Sequence, residues 1–231
     1  MGAKLFPSHR VGVVALALSA SLLAGCNDIS VTFGDVADSV KGSGVSASET
    51  RVVANFTSIE ASGVGKLSVR VGDSESLRIT ADNNLLPLIK SEVREGVLIL
   101  SSKSGFKSKN EITYEVSAKT IKRLENSGTV SIDARGFTGG ELAVETSGVG
   151  SITLAGRVDS LNAGLSGVGS LEAEELVADR VKTSLSGVGS ASVRAEKSIS
   201  GNVSGVGSLT WKGAATDVTT SVSGIGRVSK S

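Results

Sequence analysis

The chain has 231 residues, of which 29 are glycine and only 3% are aromatic, and its formal net charge is +1. A charge this close to zero argues against a nucleic-acid partner and against binding to anionic lipid by bulk charge. The length is sufficient for one domain with a substantial core, but the scarcity of aromatic residues predicts a thin core of Val, Ile, Leu and Ala.

The N-terminal segment has the features of a secretion signal. Lys4 and Arg10 give it a positive start, and the apolar run 11–20 is too short to span a membrane as a mature helix. The run Leu22-Leu23-Ala24-Gly25-Cys26 resembles the bacterial lipobox, in which the cysteine is lipidated and the preceding peptide is removed. Residues 1–25 are therefore predicted to be a lipoprotein signal peptide and Cys26 the lipidation site, although a simple signal peptide with a buried cysteine is an alternative.

Lipidation would determine where the protein resides. Acyl chains such as palmitate on Cys26 would anchor the chain to a membrane, because stable anchoring takes two chains or two signals. The next residue is Asn27 rather than the aspartate that retains many sorted lipoproteins in an inner membrane. This favours the outer membrane of a bacterial envelope, but the neighbouring Asp28 leaves the inner membrane open.

The region after the cysteine divides into a tether and a β segment. Residues 26–50 are small and polar and are predicted to form a lipid-anchored tether. The following part, 51–126, contains no regular repeat, and Pro87 permits only a single helical turn there. Alternation of apolar and polar residues predicts strands at 56–61, 66–71, 76–81, 97–101 and 111–117.

The second half of the chain is an internal repeat. From Ser147 onward, the serines that open a Ser-Gly-Val-Gly or Ser-Gly-Ile-Gly tetrapeptide are 19, 20, 18 and 19 residues apart, and Ser127-Gly128 precedes Ser147 by 20. A period near twenty is typical of one solenoid coil. The sequence therefore predicts an all-β fold, a right-handed parallel β-helix over 127–231 whose N-terminal end is capped by 51–126. The tetrapeptides begin at Ser62, Ser147, Ser166, Ser186, Ser204 and Ser223.

Each coil repeats the same apolar positions. They lie five residues before, one before and five after the serine, and the Val or Ile two after it is also expected to face inward. That orientation requires the two-residue alternation of strand faces to flip, so the tetrapeptide is predicted to be a corner whose glycines supply backbone freedom. A variable turn such as 156–159 would close the coil. The predicted structural corner residues are Gly148, Val149, Gly150, Gly167, Val168, Gly169, Gly187, Val188, Gly189, Gly205, Val206, Gly207, Gly224, Ile225 and Gly226.

A family resemblance rests on the order of several segments. They are Phe56-Thr57-Ser58-Ile59, the strand Gly63 to Val71, Gly72 with Leu77-Arg78-Ile79, Asn84 to Ile89, Val93 to Ile99, and the Ser-Gly corners. Over about residues 50 to 229 the chain resembles the head GIN domain family of autotransporter-adhesin-like bacterial envelope proteins. The resemblance implies a right-handed β-helix, often lipid-anchored, with a role in adhesion, and it implies no catalytic residues.

Several kinds of chemical site do not fit the repeat. A phosphate loop needs a helix after its glycines, whereas a strand follows here. Calcium-binding solenoid repeats place aspartate after the glycines, and these corners do not. Loss of the leader removes His9, the only histidine, so the mature chain lacks zinc ligands and a Ser-His-Asp set. No metal and no cofactor are predicted.

Acidic residues raise one catalytic alternative. Glu172, Glu174 and Glu175 cluster in one coil, followed by Asp179-Arg180 at its turn. Paired carboxylates roughly 5 to 10 Å apart would indicate a polysaccharide-processing enzyme. A solvated edge is the favoured interpretation, because like charges along a turn are ordinary surface.

The remaining candidates concern binding. Trp211 is predicted to be a core or end-cap residue, and Tyr114 is a weaker candidate for surface contact. The C-terminal edge is either blunted by Arg227 and Lys230 or paired with another chain. The outward serines predict hydrogen-bonded ladders or a flat polar face for a glycan or protein; they are Ser147, Ser166, Ser186, Ser204 and Ser223, with Ser151, Ser170, Ser190 and Ser208.

Three functions follow from the sequence. The first is a non-catalytic, lipid-anchored β-helical interaction module with an adhesin-like or scaffold role. The second is a polysaccharide-processing enzyme that uses carboxylates on one face of the helix. The third is a periplasmic signalling lipoprotein that binds a partner protein. The sequence leaves the ligand and the oligomeric state open.

Overall fold

A computed structural model describes residues 39–103 and 105–231, and Cys26 and the predicted signal peptide lie outside these ranges. Within them the chain is built from strands and a single 3-10 turn, Leu86–Leu88, which begins next to Pro87 as predicted. The strands are β1 (Val40–Lys41), β2 (Ser46–Arg51), β3 (Ser58–Ala61), β4 (Val64–Val71), β5 (Ser76–Asp82), β6 (Ile89–Arg94), β7 (Val97–Ser102), β8 (Phe106–Lys107), β9 (Thr113–Ala118), β10 (Arg123–Asn126), β11 (Thr129–Thr138), β12 (Glu141–Thr146), β13 (Val149–Leu165), β14 (Val168–Leu185), β15 (Val188–Val203), β16 (Val206–Lys212), β17 (Asp217–Val222) and β18 (Ile225–Lys230).

The strands stack as a parallel β-solenoid of about five turns, which confirms the predicted fold class. Every coil contributes one strand segment before its Ser-Gly corner and one after it, and each pairs in parallel with the same segment of the next coil. Corresponding tetrapeptides are in register, so that Val149 lies opposite Val168 and Val168 opposite Val188. The repeat period is therefore the length of one coil.

The stack extends below the Ser127 coil into the segment that lacks the regular repeat. There β3 pairs with β10 and β4 pairs with β11, so the Ser62 tetrapeptide forms the corner of the first coil. On one side β4 is followed by β9, β5 and β2, and on the other side β3 is followed by β7 and β6. Three of these five strands, β5, β2 and β6, join by antiparallel pairing, which ends the parallel stack at this end.

Ordered structure begins earlier than the sequence suggested. β2, which lies mostly inside the predicted tether, pairs along its full length with β5. β1 pairs with β8 in a small separate sheet. The polar composition of this stretch reflects edge strands rather than a flexible linker, because edge strands tolerate polar residues on both faces.

The core is one continuous apolar cluster that follows the axis of the solenoid. Of the predicted inward columns, Leu142, Leu161 and Leu171 are buried, as are their equivalents in neighbouring coils. The last coil differs, since Val218 and Val222 are more than two fifths exposed. No strand of the described chain covers them on the far side.

Trp211 lies in the core near this end, as predicted, with 6% of its surface exposed. The ammonium nitrogen of Lys230 in the last coil lies 4.6 Å from the centre of its ring. This cation–π contact covers the indole where a further apolar layer would otherwise be needed.

Tyr114 is not a surface residue, so that prediction was wrong. Alternation along β9 places it on the inner face with Ile112 and Val116, and only 2% of its surface is exposed. Its hydroxyl has no hydrogen-bond partner among residues 39–103 and 105–231. Burial raises the pKa of Tyr114 to about 12, against a smaller lowering by the positive charge of Arg51.

This pKa can be measured directly, because Tyr114 is the only tyrosine of the chain. Tyrosinate absorbance of the folded protein is expected to appear near pH 12 rather than near 10.0. Since the folded pKa is the higher one, the fold should lose stability as the pH rises from the unfolded value through the folded value. Tyr114→Phe should remove this dependence and raise the free energy of unfolding at neutral pH by about 1 kcal/mol, because an unpaired buried hydroxyl is costly. Titration of the folded wild type near 10.0 would contradict the burial of this hydroxyl.

Candidate functional site

The repeated tetrapeptides form one edge of the solenoid, with a bend at the first glycine of each. Strand alternation runs through the bend without a flip. In the coil of Ser147, every second residue from Thr146 to Ile152 faces inward, and these include the two glycines of the tetrapeptide. The residues between them, Ser147 and Val149, lie on the outer side. The corner therefore turns with glycines inside and side chains outside.

The predicted inward orientation of Val149, Val168, Val188, Val206 and Ile225 was wrong. The four valines are 49 to 53% exposed and Ile225 is 78% exposed. The prediction assumed that every apolar residue of the repeat contributes to the core, and it therefore required two flips of the alternation. The structure keeps the alternation and places the glycines on the inner side.

Close stacking explains why the inner positions are glycine. A Cβ on Gly169, whose φ is +155°, would collide with the carbonyl oxygen of Gly150 in the coil below. Gly189, with φ of +156°, would collide with Gly169 in the same way, and Gly187 with Gly167. Side chains other than hydrogen are therefore excluded by both space and backbone conformation. The recurrence of glycine is accounted for by folding alone.

The outward valines form a continuous apolar stripe, which we call the valine ridge. It comprises Val64, Val149, Val168, Val188, Val206 and Ile225, with Thr129 in register between the first two. Adjacent strands are about 4.8 Å apart, so seven rungs span about 29 Å. β-branched residues suit a strand, but cross-strand pairs of this kind contribute only about 0.2 to 1 kcal/mol each. A contiguous exposed apolar stripe is typical of an interaction site.

Serines border the ridge on both sides. The hydroxyl of Ser166 donates to the carbonyl of Thr146 at 3.2 Å, and that of Ser204 donates to the carbonyl of Leu185 at 3.4 Å. These bonds cross from one coil to the next, as expected for a structural ladder. Ser166 and Ser204 thus brace the corner, and the serines give the middle of the ridge a polar, uncharged border.

Two of the three clustered glutamates, Glu174 and Glu175, are engaged in ion pairs. Glu174 accepts from the Lys212 ammonium at 2.8 Å, and Glu175 lies 3.1 Å from the Arg135 guanidinium. The register between coils shifts around Glu174, which places the cluster on a bulge. A glycosidase carboxyl must be free to contact the glycosidic bond, whereas these two carboxylates are bound to cationic side chains. The arrangement supports the solvated-edge interpretation of these residues.

A further set of ion pairs links the variable turns of neighbouring coils. Asp179 lies 2.9 Å from the Arg157 guanidinium in the coil below and 2.8 Å from the Lys197 ammonium in the coil above. The hydrogen bond from Lys197 is the main cause that lowers the pKa of Asp179, against desolvation, which raises it. The positive charges of Lys197, Arg157 and Arg180 also lower this pKa, but Arg180 makes no ion pair with Asp179 within 4.0 Å.

Neither a metal centre nor a membrane-spanning helix is found among residues 39–103 and 105–231. No group of three or more His, Cys, Asp or Glu side chains lies close enough there to hold an ion. No helix of this part is long and apolar enough to cross a bilayer. The predicted lipidation site, Cys26, falls outside the described residues.

Solved structures share this architecture. A putative adhesin from Bacteroides fragilis is 25% identical, superposes with a TM-score of 0.70, and covers 83% of this chain and 100% of its own. A putative lipid binding protein from Parabacteroides distasonis is 19% identical with a TM-score of 0.51, covering 83% of this chain and 99% of its own. A putative adhesin from the same species is 21% identical with a TM-score of 0.51, covering 84% and 100%. The last two likenesses show the fold alone.

No curated protein matches the chain. A family model does match, over residues 55–215, which is most of the chain and includes every coil except the last. Its description is putative auto-transporter adhesin, head GIN domain. The segments that carried the resemblance in the sequence lie within or beside this match. The chain therefore belongs to the head GIN domain family of auto-transporter adhesin-like proteins.

Proposed function

We propose that the protein is a non-catalytic, adhesin-like binding module that a lipid on Cys26 holds at the outer membrane. The observation that carries the proposal is the valine ridge. Six coils place a branched aliphatic residue at the same outward position, although the core does not need it there. A rigid scaffold that repeats an exposed apolar side chain is suited to binding an extended partner surface.

The family and the lipobox support the setting of this function. The family description refers to adhesins, and a structure that is 25% identical is that of a putative adhesin. The small-residue run before Cys26 supports a lipid anchor, and Asn27 supports the outer membrane. The ion-paired glutamates give no support to the enzymatic alternative.

The anchor and the ridge can be tested in the same bacterial cells. Cells that carry the wild type are expected to hold the protein in the outer-membrane fraction and to expose it to added protease. Cys26→Ser should remove it from the outer-membrane fraction, because the acyl chains supply the attachment there. A Cys26→Ser protein that stays in the outer-membrane fraction would contradict lipid anchoring.

The ridge is tested by adhesion of these cells to surfaces coated with mucin or fibronectin. Val168→Lys with Val188→Lys should reduce adhesion several-fold, because two charges interrupt the apolar stripe at its centre. Val93→Lys is the matched control, since Val93 is an exposed valine outside the ridge. Equal adhesion of the ridge variant and the control, at equal surface amounts, would refute binding through the ridge.

A further inference from the structure

A broad groove lies on the other side of the Ser-Gly corner from the valine ridge. It runs along the outer face of β10, β12, β14, β15 and β17, together with the second half of β13, and encloses about 820 Å³. This volume falls within the usual range for ligand sites. The groove crosses six coils, so its long direction is the axis of the solenoid.

The groove is lined mainly by small side chains, and the longer charged side chains of Lys122, Arg180 and Lys182 also line it. Strand register places Arg180 between Ser160 and Ser198 of the neighbouring coils. Register also places Lys182 beside Asn162. Arg180 and Lys182 are two residues apart on one strand and so share its outer face. Lys122 lies toward one end of the same groove.

These three cations are not neutralised by ion pairs. Among the residues that the structure describes, no carboxylate lies within 4.0 Å of the charged nitrogens of Lys122, Arg180 or Lys182. Other cations of the solenoid, such as Arg157 and Lys212, do have such partners. Arg180 and Lys182 therefore have no ion-pair partner, and hydroxyl and amide groups lie beside them. The carboxylates that line the groove, Glu141 and Asp217, lie two coils from Arg180 in opposite directions.

We propose that this groove binds an acidic polysaccharide that lies along the solenoid axis, a proposal that rests on the binding function proposed above. Arg180 can pair with a carboxylate or sulfate through two parallel hydrogen bonds, and Lys182 adds a second positive charge. Serine and asparagine side chains both donate and accept, which suits sugar hydroxyls. Because neighbouring coils repeat the polar floor, a polymer can make similar contacts along several coils.

A glycan fits the groove better than a nucleic acid. Single-stranded nucleic acids are usually held by aromatic side chains on which the bases stack, and no aromatic residue lines the groove. The formal net charge of the chain is only +1, which is weak for a polyphosphate partner. The groove lining carries three cations, Lys122, Arg180 and Lys182, against two carboxylates, Glu141 and Asp217. This small excess of positive charge suits a polymer that carries one anionic group per sugar or fewer.

The test is calorimetric titration of the full mature chain with polygalacturonate, using heparin to compare sulfate with carboxylate and dextran as the neutral polymer. We expect binding of at least one acidic polymer and none of dextran. Arg180→Gln with Lys182→Gln should weaken that binding about tenfold or more, because it removes both charge-assisted contacts. Raising the salt concentration should weaken the wild-type interaction, since these charges are exposed.

Lys90→Gln with Arg94→Gln is the matched control, because it removes one lysine and one arginine from the exposed strand β6. This variant should bind as the wild type does. The inference is overturned if no acidic polymer binds, if dextran or single-stranded DNA binds equally well, or if the groove variant binds as tightly as the control. Loss of glycan binding with intact adhesion through the valine ridge would overturn this inference alone. Loss of adhesion by the ridge variant leaves glycan binding unaffected, so the two proposals fail separately.

Discussion

Gly169→Ala is expected to lower the free energy of unfolding by at least about 3 kcal/mol. Gly169 lies at a corner in the middle of the stack, with φ of +155°. The new Cβ would meet the carbonyl oxygen of Gly150, and backbone of the coil below cannot move aside as a flexible side chain could. Relief would require the two coils to separate, which breaks the parallel pairing on both sides of the corner.

Gly72→Ala provides the matched control for this prediction. No atom lies within 4 Å of the position that its Cβ would take, and its backbone is not in the positive φ range. Urea denaturation followed by circular dichroism should show a large loss of stability for Gly169→Ala and little change for Gly72→Ala. Similar midpoints for the two variants would mean that the corners are not stacked as closely as described.

The repeat made most of the fold predictable from the sequence. A period of 18 to 20 residues, with apolar residues at constant offsets from the serine, is sufficient to predict parallel stacking and the positions of Leu142, Leu161 and Leu171 in the core. The orientation of the tetrapeptide was not predictable by the same logic. Val149 is apolar and recurs, so composition favours the inside, whereas the lack of room between stacked backbones decides that glycine must be there.

Contacts between distant segments were the other features that the sequence did not reveal. Nothing in the sequence near Glu174 indicates that Lys212, two coils away, will neutralise it. Burial of Tyr114 depends on the antiparallel strands that close the N-terminal end, and no repeat predicts their pairing. The groove cations Arg180 and Lys182 could have been found from strand alternation, which places both on the outer face of β14.

The glycines and the valines of each corner have different roles. Its glycines are needed inside, where the coils approach each other, and its valines are exposed outside, where they contribute little to the core. Substitutions on the ridge should therefore alter binding without unfolding the solenoid. Substitutions of the glycines should instead destabilise the solenoid itself. The groove resembles the ridge in this respect, since Arg180 and Lys182 are exposed and lie above small side chains.

Asp82 is expected to hold the N-terminal end of the structure together, and Asp82→Ala should release it. This carboxylate is completely buried at the end of β5. It accepts hydrogen bonds from the backbone of Gly44 at 3.0 Å and of Lys109 at 2.8 Å. It also accepts from the hydroxyl of Ser108 at 3.1 Å and the amide of Asn110 at 2.5 Å. Two chain segments, at Gly44 and at 108–110, thus depend on one side chain, and alanine would leave their donors without this acceptor.

Hydrogen exchange should show the loss as a local effect. In Asp82→Ala, residues 40–46 and 106–110 should exchange much faster than in the wild type, while β13 to β15 stay protected, because the solenoid does not depend on these contacts. Asp159→Ala is the matched control, since Asp159 is exposed and accepts one hydrogen bond, from the backbone of Gly140. Unchanged exchange at 106–110 in Asp82→Ala would refute the role assigned to this carboxylate.

Acid should have the same local effect on the wild type. Burial by itself raises the pKa of Asp82, but the hydrogen bonds, led by that from the Lys109 backbone, lower it below its ordinary value of 3.8. Because the folded pKa is the lower one, the contribution to stability is complete above that ordinary value and is lost as the pH falls through the folded value. Protection of residues 106–110 should therefore decrease in this acid range, and in Asp82→Asn, which cannot ionise at this position, it should be weak at every pH and lack that step.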